Sequence, residues 1–193
     1  RLHDSGMKTA LVAHWPEGIR STGMSDSLLS VIDLAPTFLE VAEGEISETF
    51  QGVSMLPLFH NKDLEVRHYA FSEHNWHDYE ALGRSVRTKD LLYLENFRTE
   101  TAWQGPADSV RSVSHQQLLK AYKDKNLNRA QKEIFITPRP NAELYHLKED
   151  PHQLTNWAGN KQYLGIQKAL SGVLKIWMLE TGDSNPDRIS EDE

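Results

Sequence analysis

The sequence predicts a mixed α/β fold in which the edge of an α/β domain is followed by a small antiparallel four-stranded sheet packed on a long C-terminal helix, an α+β arrangement for this chain. An apolar run at residues 11–15 precedes a helix-like segment, as at the edge of an α/β domain. Further on, the runs 84–88 and 91–95 flank the polar pair Lys89-Asp90, which is typical of a hairpin. Apolar residues then recur at helical spacing over 163–177. These three observations define the fold class.

The composition narrows the classes of function. Of 193 residues, 38% are hydrophobic and 25% charged, which suits a soluble globular protein with a buried core. A net charge of −7 argues against non-specific nucleic-acid binding, which needs a basic surface. No apolar run approaches the ~20 residues that cross a bilayer. Because the chain has no cysteine, disulfides, thiolate catalysis and cysteine-ligated zinc are excluded.

Residues 1–62 are predicted to form the C-terminal edge of the α/β domain. The apolar run Leu11–Trp15 is interpreted as a buried strand that ends at Pro16. Asp33 is a good N-cap for a helix over Leu34–Glu43, and Gly44 ends that helix. Since a buried strand arrives with nothing before it to supply sheet neighbours, we expect the chain to be a piece of a longer protein.

Residues 63–182 are predicted to form the antiparallel-sheet subdomain. Its four strands and its helix are expected at residues 69–73, 84–88, 91–95 and 144–147 and at about 160–181. Trp157 and Trp177, which flank the helix, are interpreted as core anchors. Gly182 is the expected C-cap, and residues 183–193 are expected to be an acidic, flexible tail.

Two capping boxes predict short helices between the third and fourth strands. Ser114 pairs with Gln117 in the first, and Asn128 pairs with Gln131 in the second. Residues 103–113 show no clear period and are predicted to be a loop.

The densest polar cluster follows the first predicted strand. His74, His77 and Asp78 lie in a predicted loop, and Arg84 and Arg87 lie on the next strand. Imidazoles and guanidiniums suit an anionic ligand, and Asp78 could orient a histidine or accept a hydrogen bond from a sugar hydroxyl. These five residues are therefore candidates for binding an anionic ligand. The alternative is a solvated loop whose arginines face water.

Neither a metal site nor a nucleophile is predicted in this chain. His74, His77 and Asp78 could ligate a metal only if the loop curled, and there is no second, distant ligand pair. The sequence has no Gly-x-Ser-x-Gly motif and no Walker-type loop. An enzyme that contains this chain would hold its nucleophile elsewhere.

Several motifs occur in a fixed order along the chain. Residues 143–158 read Glu-Leu-Tyr-x-Leu-x-x-Asp-Pro-x-x-x-x-Asn-x-Ala, ahead of Trp-x-x-Glu-Thr-Gly-Asp at 177–183. Upstream lie Ser-x-x-Asp-Leu-x-Pro-Thr at 30–37, Gln-Gly-x-Ser-x-x-Pro at 51–57 and Arg-x-Val-Arg-Thr at 84–88. In this order and register they resemble the C-terminal portion of type I sulfatases, in the alkaline-phosphatase-like superfamily.

Two further segments refine the resemblance. The opening segment 2–11 is similar to a family segment, but departs from it at His3, Ser5 and Ala10. The loop Trp76-His77-Asp78 is most like the branch that includes heparan N-sulfatase and bacterial glycan sulfatases.

The resemblance implies hydrolysis of sulfate from a sulfated carbohydrate such as a glycosaminoglycan. It also implies a formylglycine nucleophile, made from Cys or Ser in a Cys/Ser-x-Pro-x-Arg motif, and a Ca²⁺ ion. Both would belong to the N-terminal portion, so this chain is expected to bind neither and to be inactive alone. The implied partners are the sulfated carbohydrate and the N-terminal catalytic domain, with no nucleic acid and no membrane span. The implied compartment is periplasmic, extracellular or lysosomal.

The resemblance assigns this chain support and substrate reading, with His74, His77, Asp78, Arg84 and Arg87 facing the pocket. Two alternatives stay open. One is a non-catalytic module that binds acidic glycans, although the net charge of −7 weighs against it. The other is a phosphodiesterase or phosphonate hydrolase of the same superfamily.

Overall fold

A computed structural model describes residues 1–103 and 105–184 of the chain. The predicted acidic tail therefore lies outside the described residues from residue 185 onward. The helices are α1 Asp4–Met7, α2 Leu34–Val41, α3 Leu56–His60, α4 Ala107–Arg111, α5 Val113–Lys123, α6 Arg129–Lys132 and α7 Leu164–Glu180, with 3₁₀ turns at Val31–Asp33 and Glu133–Phe135. The strands are β1 Ala70–His77, β2 Tyr79–Arg87, β3 Leu91–Asn96 and β4 Ala142–His146.

The predicted four-stranded antiparallel sheet is confirmed, with strand order β1-β2-β3-β4. Strands β2 and β3 are joined at Lys89-Asp90, as the polar pair predicted. In the β3–β4 ladder Tyr93 lies opposite Leu144, and Leu91 opposite His146. The mixed architecture of helices and one antiparallel sheet is the predicted fold class.

The hairpin between β1 and β2 differs from the prediction. Residues 74–77, predicted as a loop, continue strand β1 to His77. The chain reverses at Asp78, whose φ of 56° lies in the left-handed region that Asp tolerates better than most residues. The polar residues of this segment do not indicate a strand from the sequence. They are compatible with one, because an antiparallel hairpin can expose its side chains to solvent and keep its backbone hydrogen bonds.

Helix α7 packs on one face of the sheet. Leu170 and Leu174 join Val86, Tyr93 and Leu144 in a buried cluster. Trp157 and Trp177 pack against the edge of that cluster, which confirms them as core anchors. The helix ends where Gly182 adopts a φ of 65°, the conformation that favours glycine after a helix.

The other face of the sheet is covered by the opening segment of the chain. Leu2 is buried there against Leu92, Leu94, Tyr145 and Leu147. The backbone N–H of Asp4, at the start of the short helix α1, donates to the side-chain oxygen of Gln153 at 2.9 Å. The sheet is thus sandwiched between residues 1–7 and helix α7.

The region between β3 and β4 is more helical than predicted. The predicted loop over residues 103–113 contains α4. The cap of α5 is Ser112, whose hydroxyl accepts from the backbone N–H of His115 at 3.2 Å, and the Ser114 cap is wrong. The Asn128–Gln131 capping box of α6 is confirmed in both directions.

The described chain divides into two compact units. One unit holds residues 8–70 and 87–90, and the other holds the rest, including most of the sheet and α7. The predicted boundary between residues 62 and 63 stays a prediction.

The first of these units is organised around Asp33, which is fully buried. Asp33 holds the N-cap position of α2, as predicted, but its carboxylate does not cap that helix. It accepts instead from the backbone N–H of Ser30 and of Val53, both at 2.8 Å, and pairs with the Arg67 guanidinium. Close packing extends to Gly52, where a Cβ would lie 2.1 Å from the carbonyl oxygen of Ile32.

The predicted strand Leu11–Trp15 is wrong. The structure assigns no strand to these residues, and the side chains of Leu11 and Val12 are 52% and 89% exposed. A strand requires a hydrogen-bonded neighbour, and the described residues supply none for this run. Among the helices of the described ranges, none is both long and apolar enough to cross a membrane.

Candidate functional site

The tip of the β1–β2 hairpin presents two of the five predicted binding residues. The side chains of His77 and Asp78 are 64% and 42% exposed, and His77 Nδ1 lies 3.4 Å from Asp78 Oδ2. That carboxylate oxygen also accepts from the backbone N–H of Ala107, at the start of α4, at 2.6 Å. The tip therefore offers an imidazole to solvent and keeps its neighbouring carboxylate anchored.

Arg84 lies inside the molecule, with its side chain only 2% exposed. Its guanidinium makes a two-bond pair with Asp183, in which Nη2 donates to Oδ1 at 2.8 Å and Nε donates to Oδ2. Nη1 donates to Asn75 Oδ1 at 2.6 Å and to the Gly83 carbonyl oxygen at 2.8 Å. Every nitrogen of this guanidinium thus has an acceptor within the chain.

His74 and Arg84 lie on opposite faces of the sheet. Side chains alternate along a strand, so Phe71 and Asn75 of β1 share one face and His74 takes the other. Phe71 stacks on Trp177 of α7 with ring centroids 4.8 Å apart, which places this face towards the helix. His74 instead lines a cavity on the face covered by the opening segment. The predicted cluster is therefore split by the sheet.

The cavity beside His74 is lined by groups of both charges. Arg1 lies over the Trp103 ring at 4.6 Å and pairs with Glu133 at 2.6 Å. Arg139 donates from Nη2 to the Ala81 carbonyl oxygen at 3.0 Å. Burial lowers the pKa of His74, and nearby positive groups, Arg139 and His77 among them, lower it further. His74 is thus held towards its neutral form, as an imidazole with one donor and one acceptor.

Arg87, the fifth predicted residue, is the last residue of β2 and belongs to the unit that contains residues 8–70. Its role in binding stays a prediction.

A buried carboxylate that the sequence did not single out lies on the same sheet face as His74. Glu143 Oε2 accepts from Tyr145 Oη at 2.5 Å and lies 3.1 Å from His3 Nε2, while Oε1 accepts from Asn96 Nδ2 at 2.7 Å. Burial alone would raise the pKa of Glu143, but the hydrogen bonds and the charge of His3 outweigh it and lower that pKa. This network ties the opening segment to strand β4.

The lowered pKa of Glu143 predicts an acid-sensitive contribution to stability. Because the folded state holds the carboxylate ionised more strongly than the unfolded state, the contribution is present above the ordinary pKa of glutamate and is lost as the pH falls through the folded pKa. We expect Glu143→Gln to flatten the slope of the unfolding free energy against pH in the acidic range. Urea unfolding between pH 6 and pH 3 measures it. The exposed Glu149→Gln is the control and should keep the wild-type slope, and an unchanged slope in Glu143→Gln would contradict the assignment.

The sequence reasoning missed two acidic residues that the structure makes central. Glu143 opens the longest motif, directly before the strand predicted at 144–147, and no role is predicted for it. Asp183 closes the Trp-x-x-Glu-Thr-Gly-Asp motif, and was predicted to begin the flexible tail. Its carboxylate is instead held on Arg84 and its side chain is 12% exposed. The signal that could have identified Asp183 is its position in the motif. An acidic residue directly after the end of a helix can pair with a basic residue elsewhere in the chain.

Within residues 1–103 and 105–184, no group of three or more His, Asp or Glu side chains is arranged to hold a metal. One sequence pattern was overlooked: Ser-x-Pro-x-Arg, the form of the formylglycine motif, occurs at Ser184, Pro186 and Arg188. Only Ser184 of these three lies within the described residues.

Solved structures identify the class of fold. A protein in complex with its substrate D-glucosamine-2-N,6-O-disulfate matches 92% of this chain and 29% of its own chain, with a TM-score of 0.63 and 21% identity. A 2-O GAG sulfatase matches 86% of this chain and 28% of its own, with a TM-score of 0.57 and 21% identity. The sheet with its covering helix is thus a fold that these two proteins share with this chain.

Comparisons at the level of sequence give the family. The chain belongs to the family described as N-sulphoglucosamine sulphohydrolase, C-terminal, whose model matches residues 1–134. The predicted resemblance to the C-terminal portion of sulfatases is thereby confirmed.

Three curated relatives are sulfatases. Two ulvan-active sulfatases of Formosa agariphila are 30% identical over 184 residues and 31% identical over 188 residues. Each match covers 94% of this chain, and 30% and 35% of the respective relative. An N-acetylglucosamine-6-O-sulfatase of Bacteroides thetaiotaomicron is 20% identical over 192 residues, with 96% of this chain and 27% of the relative covered. The chain therefore spans about a third of the length of the curated relatives it matches.

Proposed function

We propose that this chain is the C-terminal part of a sulfatase that removes sulfate from a sulfated carbohydrate. Its family membership over residues 1–134 carries the proposal. In this role the chain supports the catalytic portion and reads the sugar, and the nucleophile is supplied by the N-terminal portion. Formylglycine and Ca²⁺ belong to that portion in the proposal, as the resemblance to sulfatases implies.

The names of the relatives support a polysaccharide substrate. They include ulvan-active sulfatases and an N-acetylglucosamine-6-O-sulfatase. We infer that the substrate is a sulfated carbohydrate, met in a periplasmic, extracellular or lysosomal space. The exposed imidazole of His77 beside the anchored Asp78 suits such a ligand, because one group can donate to a sulfate or hydroxyl oxygen while the other accepts from a sugar hydroxyl.

The five predicted residues have different parts in this proposal. His77 and Asp78 contact the sugar from the hairpin tip. His74 lines the cavity on the sheet face that the opening segment covers, and Arg87 stays a predicted substrate-binding residue. Arg84 does not contact the sugar in this proposal, because its donors are satisfied within the chain. It acts on the site only through the position of the hairpin.

The N-terminal catalytic domain is the proposed cover for apolar side chains of the unit that contains residues 8–70. Val12, Val31 and Phe38 are 89%, 74% and 66% exposed. In the proposal these exposed apolar side chains contribute to a surface that a partner covers. The same cover would give the run 11–15 the neighbours that it lacks within the described residues.

The proposal predicts a selective defect when the hairpin tip is altered in the full-length enzyme. A hydrogen bond to a charged group contributes roughly 1.5–3 kcal/mol, so His77→Ala should lower kcat/KM on a 6-O-sulfated glucosamine or an ulvan oligosaccharide by at least about tenfold. Turnover of a small aryl sulfate, which lacks the sugar, should fall much less. Steady-state kinetics on the two substrate types measures the difference.

Two controls complete this experiment. The exposed Lys120→Ala in α5 should behave as wild type on both substrates. The isolated 193-residue chain should turn over neither substrate, and Ser184→Ala, which removes the Ser-x-Pro-x-Arg pattern, should change nothing. Turnover by the isolated chain that depends on Ser184 would refute the assignment of the nucleophile to the N-terminal portion. Preference of the full-length enzyme for phosphate or phosphonate esters would refute the sulfatase proposal.

A further inference from the structure

Arg84 and Asp183 join the β1–β2 hairpin to the end of helix α7. Helix α7 stops at Glu180, and Gly182 then turns the chain so that the backbone N–H of Asp183 donates to the Met178 carbonyl oxygen at 2.8 Å. This turn aims the Asp183 carboxylate at the sheet, where it meets the Arg84 guanidinium in a two-bond pair. With side chains 2% and 12% exposed, both charges are largely removed from water. Such a pair fixes the relative orientation of the two side chains, because the planar guanidinium makes two parallel hydrogen bonds with the carboxylate in only one arrangement.

The same guanidinium extends the contact to the neighbouring strand. Nη1 of Arg84 donates to Asn75 Oδ1 at 2.6 Å, and Asn75 is two residues before His77. At the opposite end of β1, Phe71 stacks on Trp177 of α7. Strand β1 is thus attached to α7 directly at Phe71 and through Arg84 near the tip. Only the second attachment lies close to the residues that we propose contact the sugar.

We propose that Arg84, Asp183 and Asn75, called here the Arg84 cluster, position the hairpin tip for substrate. This inference rests on the proposed function, in which His77 and Asp78 contact the sugar. It assigns Arg84 as a positioning residue and adds Asp183, just after helix α7, as its partner. Loss of the pair would leave the tip held by the β1–β2 ladder, by the bond between Asp78 and the Ala107 N–H, and by the contact between Arg98 and Glu80.

The test is Asp183→Asn in the full-length enzyme, which keeps the side-chain shape and removes the charge. We expect KM for a 6-O-sulfated glucosamine or an ulvan oligosaccharide to rise about tenfold, with a much smaller change on an aryl sulfate. We also expect faster amide hydrogen exchange at residues 73–78 than in the wild type. Arg84→Lys, which keeps the charge but loses the fork, should give the same two changes. Because both substitutions break one contact, the double variant should be no worse than the more affected single variant.

A matched control removes another contact between α7 and the sheet. Ser171 Oγ donates to Glu95 Oε1 at 2.7 Å, far along the helix from Asp183, and Ser171→Ala should leave both the KM values and the exchange at residues 73–78 unchanged. Unchanged exchange at these residues in Asp183→Asn and Arg84→Lys, or additive effects in the double variant, would overturn the positioning role. If Asp183→Asn fails to fold, Arg84→Lys decides by the same two readouts. Hydrogen exchange needs no turnover, so a wild-type enzyme inactive on all sulfated sugars would refute the proposed function while the exchange result still decides the positioning role.

Discussion

Replacing Asp33 by alanine is expected to destabilise the unit that contains residues 8–70 by about 3–5 kcal/mol. The side chain of Asp33 is fully buried and that of Arg67 is 9% exposed, so the substitution leaves a guanidinium uncompensated in a nearly dry site. It also removes the acceptor of the Ser30 and Val53 backbone N–H groups, each of which then loses a bond of 2.8 Å. Removing one partner of a buried ion pair lowers the free energy of unfolding by more than the pair contributes to it, because the remaining charge is neither paired nor hydrated.

Hydrogen exchange of the α2 amides under increasing urea would measure this loss within the unit itself. The matched control is Asp63→Ala, in which the lost carboxylate is 76% exposed and pairs with Lys62 at 2.7 Å on the surface. A surface pair of this kind contributes ~0–1 kcal/mol, so the control should stay close to the wild type. Equal losses in the two variants would show that the Asp33 contacts contribute no more than a surface pair.

The outcome at Asp33 shows how far sequence patterns reach. The pattern predicted its N-cap position correctly, since a small polar residue before a helical run is a local signal. It could not show that the carboxylate would face Arg67, which is 34 residues away along the chain. Local periodicity and turn chemistry predicted the sheet, the Lys89-Asp90 turn and α7, because each of these depends on residues close in sequence.

The candidate site was harder to predict for the same reason. His74, His77, Asp78 and Arg84 are close in sequence, and a loop would have allowed them to converge. The structure continues β1 through His77, and the alternation of side chains then sends His74 and Arg84 to opposite faces. The partner of Arg84 is 99 residues away, beyond the reach of any local pattern. The partners of Glu143, His3 and Asn96, also come from distant parts of the chain, so no local pattern predicts these contacts.

The run Leu11–Trp15 shows the opposite failure. An apolar run of five residues is compatible with a buried strand, but a strand is defined by its neighbours and not by its own residues. Without a neighbour among the described residues, the same run is an exposed irregular segment. In the proposed function this exposure marks the surface that the N-terminal domain covers.

Replacing Leu174 by alanine is expected to cost the sheet unit about 2–5 kcal/mol, as for other large-to-small changes in a close-packed core. Leu174 is completely buried in the cluster that joins α7 to Val86, Tyr93 and Leu144, so the removed methyl groups leave a cavity in a close-packed core. The control on the same helix is Leu179→Ala, where a leucine 81% exposed should change stability by less than about 0.5 kcal/mol. Urea unfolding with hydrogen exchange of the β3 and β4 amides measures both variants.

Since α7 also carries Asp183 towards Arg84, Leu174→Ala should loosen the hairpin only where it unfolds the sheet as a whole, whereas Asp183→Asn should loosen the hairpin alone. Selective exchange at residues 73–78 in Leu174→Ala, with β3 and β4 still protected, would contradict this division between core and positioning contacts.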